Sequence, residues 1–223
     1  MAGRGFSRDS VVVLSLYEKG NLLSGPADWV WNEMTGTLSA EVGQKLDAAF
    51  AGRPKEQWNT PVTALTYSGN FAPFLDAVNA RPHLPISTIV SVGPAWTKAD
   101  GIDRVMQNQN IKLIVNVYGA DDFVVKLANF TDGNMRNAKV NVINVKLLGV
   151  GHTDYFFDHK KPEVQTNARV LTVTLAEKAA QGGRFISEYL RQLTENTKAT
   201  YDSSRQLYTV DVGRLSQSEL RGR

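Results

Sequence analysis

The sequence predicts an α/β fold in which a mostly parallel sheet carries helices on both faces. The first observation is that short apolar, β-branched runs alternate along the chain with stretches of helical periodicity. The second is that these runs are nearly continuous in apolar residues, which is typical of strands buried on both faces. The third is that helical segments and polar connections separate the runs, as they do between parallel neighbours.

Five apolar runs predict the strands of this sheet. Each is rich in valine, isoleucine or leucine, and the last three are each followed by a glycine that stops the run. In chain order, the predicted strands are residues 10–16, 61–66, 86–92, 111–118 and 139–148.

Three stretches of helical periodicity lie between or after these strands. Residues 39–51 carry apolar side chains at i, i+4, i+7 and i+8, which predicts an amphipathic helix. Residues 70–80 have Pro73 in the first predicted turn, where a missing N–H costs little. A long final helix is predicted at 172–195, and the Gly182–Gly183 pair can break it.

The alternating pattern sets the predicted domain boundary. Residues 1–195 contain it and are expected to form one domain, which agrees with the length of the chain. Residues 196–223 form a polar carboxyl-terminal extension, in which alternation at 206–212 predicts one extra strand and the remainder reads as a loose tail.

Composition narrows the classes of protein that this chain can belong to. A net charge of +3 without a basic stripe does not predict a nucleic-acid partner. The absence of cysteine excludes thiol nucleophiles and thiolate metal sites. No run approaches the ~20 apolar residues of a transmembrane span, and the run after the basic amino terminus is too short for a signal-peptide core. We therefore expect a soluble protein, cytoplasmic by default, whose oligomeric state the sequence leaves open.

A serine, a carboxylate and a histidine follow three of the predicted strands, in that order. Ser68 comes after the second strand, Asp122 after the fourth and His152 after the fifth. In open α/β sheets, ligands bind beyond the carboxyl ends of the strands. A serine at a strand-to-helix turn presents its hydroxyl there, a histidine can remove its proton, and a carboxylate can orient the imidazole. These residues predict a catalytic triad, with Asp121 as the alternative acid.

Each of these residues also has a structural interpretation. Ser68 can be an ordinary turn residue, Asp122 a helix N-cap, and His152 a loop histidine bonded to backbone. Their co-occurrence at three strand ends favours the catalytic interpretation. No phosphate-binding loop is present, and the pairing of His152 with Asp154 is weak support for a metal, so neither a metal nor another cofactor is expected.

The chain resembles the lipase and esterase members of the α/β-hydrolase family over roughly residues 10–195. The resemblance rests on the strand–elbow–helix at Ser68, on Gly-x-x-Asp at 119–122 followed by two valines, and on Gly-x-Gly-His at 149–152. The Ser…Asp…His order is the one that this family uses. The resemblance therefore implies a compact α/β-hydrolase-like fold for residues 1–195.

The resemblance also assigns roles to individual residues. Ser68 is the implied nucleophile, Asp122 the acid and His152 the base. Gly69 would supply one N–H to the oxyanion, and the loop after the first strand, near Tyr17 or Glu18, would supply the second.

The sequence departs from the family pattern in two places. The usual elbow is Gly-x-Ser-x-Gly, whereas Thr66 and Asn70 stand at the glycine positions here. The His-Gly pair that follows the family's first parallel strand is absent, and the two antiparallel strands that open the family's sheet are expected to be missing. Two hypotheses follow: a serine hydrolase that cleaves a small-molecule or lipid ester, or a catalytically inactive α/β-hydrolase-fold protein that acts in binding or as a scaffold.

Overall fold

The structure is a computed structural model. It describes residues 37–94, 108–129, 133–136, 139–155 and 162–222. The first predicted strand, at 10–16, lies outside the described residues.

The described part of the chain forms one six-stranded sheet in the order β1-β2-β3-β4-β6-β5. Neighbours from β1 through β4 to β6 are parallel, and β5 pairs antiparallel with β6 at the edge. The predicted α/β class with a mostly parallel sheet is therefore confirmed. The strands are β1 (Val62–Tyr67), β2 (Ile86–Val92), β3 (Leu113–Gly119), β4 (Asn141–Leu148), β5 (Ala199–Asp202) and β6 (Leu207–Asp211).

Described helices lie between β1 and β2, between β3 and β4, and after β4. None of those within the described ranges combines the length and apolar character needed to cross a bilayer. Short 3₁₀ helices cover Lys55–Gln57, Ser68–Asn70 and Val212–Arg214. The α-helices are α1 (Thr37–Ala51), α2 (Phe71–Asn79), α3 (Phe123–Asn129), α4 (Pro162–Gln181), α5 (Gly183–Glu195) and α6 (Gln217–Leu220).

Two hydrophobic cores lie on opposite faces of the sheet. Along β2 and β3, Ile89 and Ile114 pack with α1 and α2, whereas Val90 and Val115 pack with α4 and α5. Successive side chains of a strand point to opposite faces, so each strand supplies both cores. Burying one such side chain contributes about 1.5–3 kcal/mol. Burial on both faces explains why these strands read as continuous apolar runs in the sequence.

The last predicted helix is two helices, and it begins ten residues earlier than the predicted start at residue 172. Gly182, at φ 124°, ends α4 and precedes α5. Only glycine adopts this backbone conformation readily. The first half of α4, at 162–171, is rich in polar residues, and its weak apolar periodicity left it outside the predicted helix.

The carboxyl-terminal extension contributes two strands and a short helix, where the sequence predicts one strand and a loose tail. Val210 and Leu220 are fully buried in the same core as α4 and α5. Thr174 of α4 donates a hydrogen bond from its hydroxyl to the carbonyl of Leu220, at 2.7 Å. Ser216 and Glu219 form a capping box at the start of α6. Side-chain burial therefore holds this polar segment against the sheet.

Polar side chains occupy one buried row across four strands of the sheet. Thr66, Ser91, Asn116 and Asn144 are register partners on four successive strands. The Asn116 amide donates to Asn144 Oδ1 at 2.8 Å, and Asn144 exchanges hydrogen bonds with the backbone N–H and C=O of Met135. The asparagine pair thereby fixes the segment around Met135 to the sheet.

Candidate active site

Ser68 lies at a sharp turn between β1 and α2. The chain passes from extended backbone at Tyr67 (φ −131°, ψ 137°) through Ser68 at φ 54° to helical backbone at Asn70 (φ −77°, ψ −7°). A left-handed conformation at a residue with a Cβ costs of order 1–3 kcal/mol, which the surrounding packing must offset. The conformation aims the serine hydroxyl outward from the end of the strand, as in a nucleophile elbow.

The Ser68, His152 and Asp122 side chains form one hydrogen-bonded chain. Ser68 Oγ lies 2.8 Å from Nε2 of His152. Nδ1 of His152 lies 3.0 Å from both carboxylate oxygens of Asp122. An ionised carboxylate can only accept, so Nδ1 carries the proton and Nε2 accepts from the serine hydroxyl. The structure thus brings together the three residues that the sequence singles out and places the imidazole to take the serine proton.

Asp122 is fully buried, and protein donors replace the water that its carboxylate loses. Oδ1 accepts from the backbone N–H of Val125 at 2.9 Å, and Oδ2 accepts from the hydroxyl of Tyr155 at 3.1 Å. The Val125 contact also makes Asp122 the N-cap of α3. Asp122 therefore caps this helix and contacts His152 at the same time.

Asp121 is placed differently from its neighbour. It is exposed, and its backbone N–H donates to the carbonyl of Val150 at 3.1 Å. This bond ties the loop after β3 to the loop after β4. Asp122, and not Asp121, is the carboxylate that meets His152.

The loop that carries His152 is a tight turn held by hydrogen bonds and a ring contact. Asp154 Oδ2 accepts a hydrogen bond from the N–H of Gly151 at 2.7 Å, which gives Asp154 a turn-forming role. Tyr67 donates from its hydroxyl to the carbonyl of His152 at 2.7 Å, and the two rings stack with centroids 5.3 Å apart. These contacts hold the imidazole above the end of β1.

Two glycines allow the loops to approach the strand ends. A Cβ on Gly119 would lie 1.9 Å from the carbonyl oxygen of Val150, so no larger residue fits there. Gly93, at φ 52°, directly follows β2, and a Cβ on it would lie 3.1 Å from Oδ2 of Asp122. The sequence indicates Gly93 only as the end of a strand; its contact with the site follows from the loops after β3 and β4 converging over β2.

Of the other residues that the sequence assigns to the site, Gly69 and the elbow positions are described and the loop near Tyr17 is not. Gly69 directly follows Ser68 in the 3₁₀ turn, where the resemblance places its N–H as an oxyanion donor. Tyr17 and Glu18 lie outside the described residues. Thr66 is buried at 6% exposure, and the backbone still takes the elbow conformation with Thr66 and Asn70 at the family's glycine positions.

Metal ligands do not gather in the part of the chain that the structure describes. No group of three or more histidine, aspartate or glutamate side chains there is arranged to hold an ion. His83, in the loop before β2, is exposed.

Burial raises the pKa of both tyrosines beside the site. It raises the pKa of Tyr67, and the negative charges of Asp122 and Asp154 raise it further. Burial and Asp122 likewise raise the pKa of Tyr155 well above its ordinary value. A phenol of ordinary pKa is already protonated at neutral pH, and these shifts keep both hydroxyls as hydrogen-bond donors into the alkaline range.

Comparison of the chain with protein-family models, curated proteins and solved structures gives no match.

Proposed function

We propose that the protein is a serine hydrolase that cleaves carboxylic esters with Ser68, His152 and Asp122. The observation that carries the proposal is the continuous chain of hydrogen bonds from Ser68 Oγ through the imidazole to a buried carboxylate. A serine in an ordinary turn has no need of a histidine at 2.8 Å that is itself oriented by an aspartate. Nucleophile, base and orienting acid in contact are the signature of an activated serine.

The geometry suggests how the reaction proceeds. Ser68 Oγ attacks the ester carbonyl while Nε2 of His152 takes the hydroxyl proton, and Asp122 stabilises the resulting imidazolium. His152 then returns the proton to the departing alcohol, which leaves an acyl group on Ser68. A water molecule, deprotonated by His152, attacks this acyl-enzyme and releases the carboxylic acid. Each proton taken from a nucleophile is returned to a leaving group, so the enzyme is regenerated.

The oxyanion formed in each step needs donors close to Ser68. The N–H of Gly69, at the start of the turn into α2, is the first donor in this proposal. Removing one such donor typically costs about 10²–10³ in turnover. The second donor is assigned by the resemblance to the loop near Tyr17 or Glu18.

We further propose that the chain is a lipase- or esterase-like α/β-hydrolase. The Ser…Asp…His order, the elbow at Ser68 and the position of all three residues after parallel strands support this assignment. The substrate class that we propose is an ester with an apolar acyl or alcohol part. Such a substrate can be a small molecule or a lipid.

An active-site probe tests the proposal directly. We expect a fluorophosphonate to label the purified protein, with mass spectrometry locating the label on Ser68. Ser68→Ala should abolish both labelling and ester turnover while leaving the circular dichroism spectrum unchanged.

A matched control is Ser91→Ala. Ser91 is a fully buried serine at the same edge of the sheet, and its substitution should leave labelling intact. A folded wild-type protein that neither reacts with the probe nor hydrolyses a panel of esters would instead favour the binding or scaffold function.

A further inference from the structure

Two tyrosines contact the Asp122–His152 pair from different parts of the chain. Tyr155 lies three residues after His152 in the same turn, whereas Tyr67 is the last residue of β1 and directly precedes Ser68. Their rings meet edge to face, with centroids 6.3 Å apart.

The Tyr155 contact concerns the carboxylate. Its hydroxyl donates to Oδ2 of Asp122 at 3.1 Å, and the side chain is fully buried. Val125 N–H holds the other oxygen, at 2.9 Å. With one donor on each oxygen, the carboxylate group cannot rotate freely about its Cβ–Cγ bond. Both oxygens therefore stay at 3.0 Å from Nδ1 of His152.

The Tyr67 contact concerns the imidazole. Its hydroxyl donates to the His152 carbonyl at 2.7 Å, and its ring lies against the imidazole at an interplanar angle of 23°. The hydrogen bond fixes the backbone that carries the histidine, and the stacked ring restricts rotation of the imidazole. Because Tyr67 adjoins Ser68, the same strand end holds the nucleophile and positions its base.

Ordinary packing does not require this arrangement. Phenylalanine would fill the same space in both places, and a buried hydroxyl is retained at a cost unless it has a partner. Here each hydroxyl has one, and the partner belongs to Asp122 in one case and to His152 in the other.

We propose that Tyr155 and Tyr67 are positioning residues that hold Asp122 and His152 in the geometry required for proton transfer from Ser68. The inference rests on the proposed hydrolase function for its kinetic consequences, but not for its structural ones. Neither tyrosine touches the ester in this mechanism.

Kinetics of Tyr155→Phe and Tyr67→Phe provide the first test. Each should lower kcat by about 10- to 100-fold, the size of effect that a small misplacement of a catalytic group produces, with KM changed little. The double variant should lose less than the product of the two single losses, because both act on one hydrogen-bonded unit.

The control is Tyr189→Phe. Tyr189 is also buried and donates from its hydroxyl at 2.7 Å, but to the carbonyl of Glu219 at the end of α6. It should lose stability as the other variants do and keep its kcat. A loss of kcat in Tyr189→Phe equal to that in Tyr155→Phe would show a general effect of stability and overturn the positioning role.

Proton NMR of the His152 ring gives a readout that needs no turnover. The chain has three histidines, so His83→Gln and His159→Gln variants identify the Nδ1 proton that is bonded to Asp122. In Tyr155→Phe this proton should exchange with water at least about 10-fold faster, as expected when a charge-assisted hydrogen bond is weakened.

The two proposals can fail separately. If the wild-type protein hydrolyses no ester while the Nδ1 proton exchanges faster in both tyrosine variants, the hydrolase function fails and the positioning role stands. An exchange rate that is unchanged in Tyr155→Phe or in Tyr67→Phe would overturn the positioning role of that tyrosine, whatever the activity.

Discussion

Gly93 packs so closely against Asp122 that a side chain between them would crowd the carboxylate. A Cβ at position 93 would lie 3.1 Å from Oδ2 of Asp122, and also 3.3 Å from Nδ1 of His152 and 3.0 Å from Cε2 of Tyr155. The acid and the base lie on loops that follow β3 and β4, and these loops reach Ser68 by crossing the end of β2. The missing side chain at Gly93 is what permits that crossing.

Gly93→Ala should therefore impair turnover and stability together. The methyl group has to displace the Asp122–His152 pair, and alanine at φ 52° is strained in any case. We expect the free energy of unfolding to fall by about 1–3 kcal/mol and kcat to fall by about 10²-fold. Urea denaturation and ester kinetics measure the two effects.

Gly183→Ala is the matched control for Gly93→Ala. A Cβ on Gly183 would meet its nearest neighbour, Cδ2 of Leu113, at 3.8 Å, which is ordinary contact. This variant should keep full turnover. A Gly93→Ala protein with wild-type kcat would show that the pair tolerates displacement.

Asp122→Asn and Asp121→Asn should differ sharply in kcat. Asparagine at 122 offers an amide N–H to the imidazole, which disfavours the tautomer that accepts the Ser68 proton. The loss of kcat can approach about 10⁴, as in serine proteases. Asp121 is exposed and bonds through its backbone, so Asp121→Asn should change kcat little. Steady-state kinetics on both variants tests the assignment of Asp122 as the acid. A large loss of kcat in Asp121→Asn would contradict it.

Ser68→Gly should be more stable than Ser68→Ala. Both substitutions remove the nucleophile, but only glycine relieves the left-handed backbone at φ 54°. The difference in the free energy of unfolding should be about 1 kcal/mol. Thr197→Gly, at an exposed residue with φ 59°, should show a similar gain and keep full turnover. Equal stabilities for Ser68→Gly and Ser68→Ala would mean that the elbow stores no strain.

Stability should fall steeply above about pH 10, because several buried phenols resist ionisation. Burial raises the pKa of Tyr118 to about 12 and that of Tyr155 well above its ordinary value of 10.0. Below pH 10 both are protonated in the folded and unfolded states, so their contribution is fully present. Above it the unfolded state loses the proton first, and stability falls by up to about 1.4 kcal/mol per pH unit for each such group.

Urea denaturation between about pH 9 and pH 12 measures this loss. Tyr155→Phe should reduce the slope of stability against pH, because one of the resisting phenols is gone. Phenolate absorbance that showed Tyr155 ionising near pH 10 in the folded protein would contradict the explanation.

Local pattern determined the parallel strands and the residues that follow them. β2 spans Ile86–Val92 as predicted, because a strand buried on both faces needs an unbroken apolar run and Gly93 ends it. Ser68 and His152 follow from the same pattern, since a residue placed just after a parallel strand lies at the edge where ligands bind. For these elements, the tertiary environment agrees with the local signal.

Other elements depend on contacts that no local pattern encodes. β5 has the mostly polar sequence ATYD, with only its first residue buried, and it is a strand because the edge of β6 offers hydrogen-bond partners. Asn116 and Asn144 are buried although their side chains are polar, and the hydrogen bond between them compensates for the loss of water.

The sequence by itself determined that a serine, a carboxylate and a histidine stand at three strand ends. Only the tertiary structure decided which carboxylate meets the histidine and which side chains hold the pair. Asp121 and Asp122 are adjacent, and the loop after β3 turns so that one is exposed and the other buried. Tyr67 and Tyr155 are 88 residues apart in the sequence. Their rings meet only because β1 and the loop after β4 converge. Such contacts form when segments that are distant in sequence pack together. The local sequence of one segment does not specify which other segment will bury it.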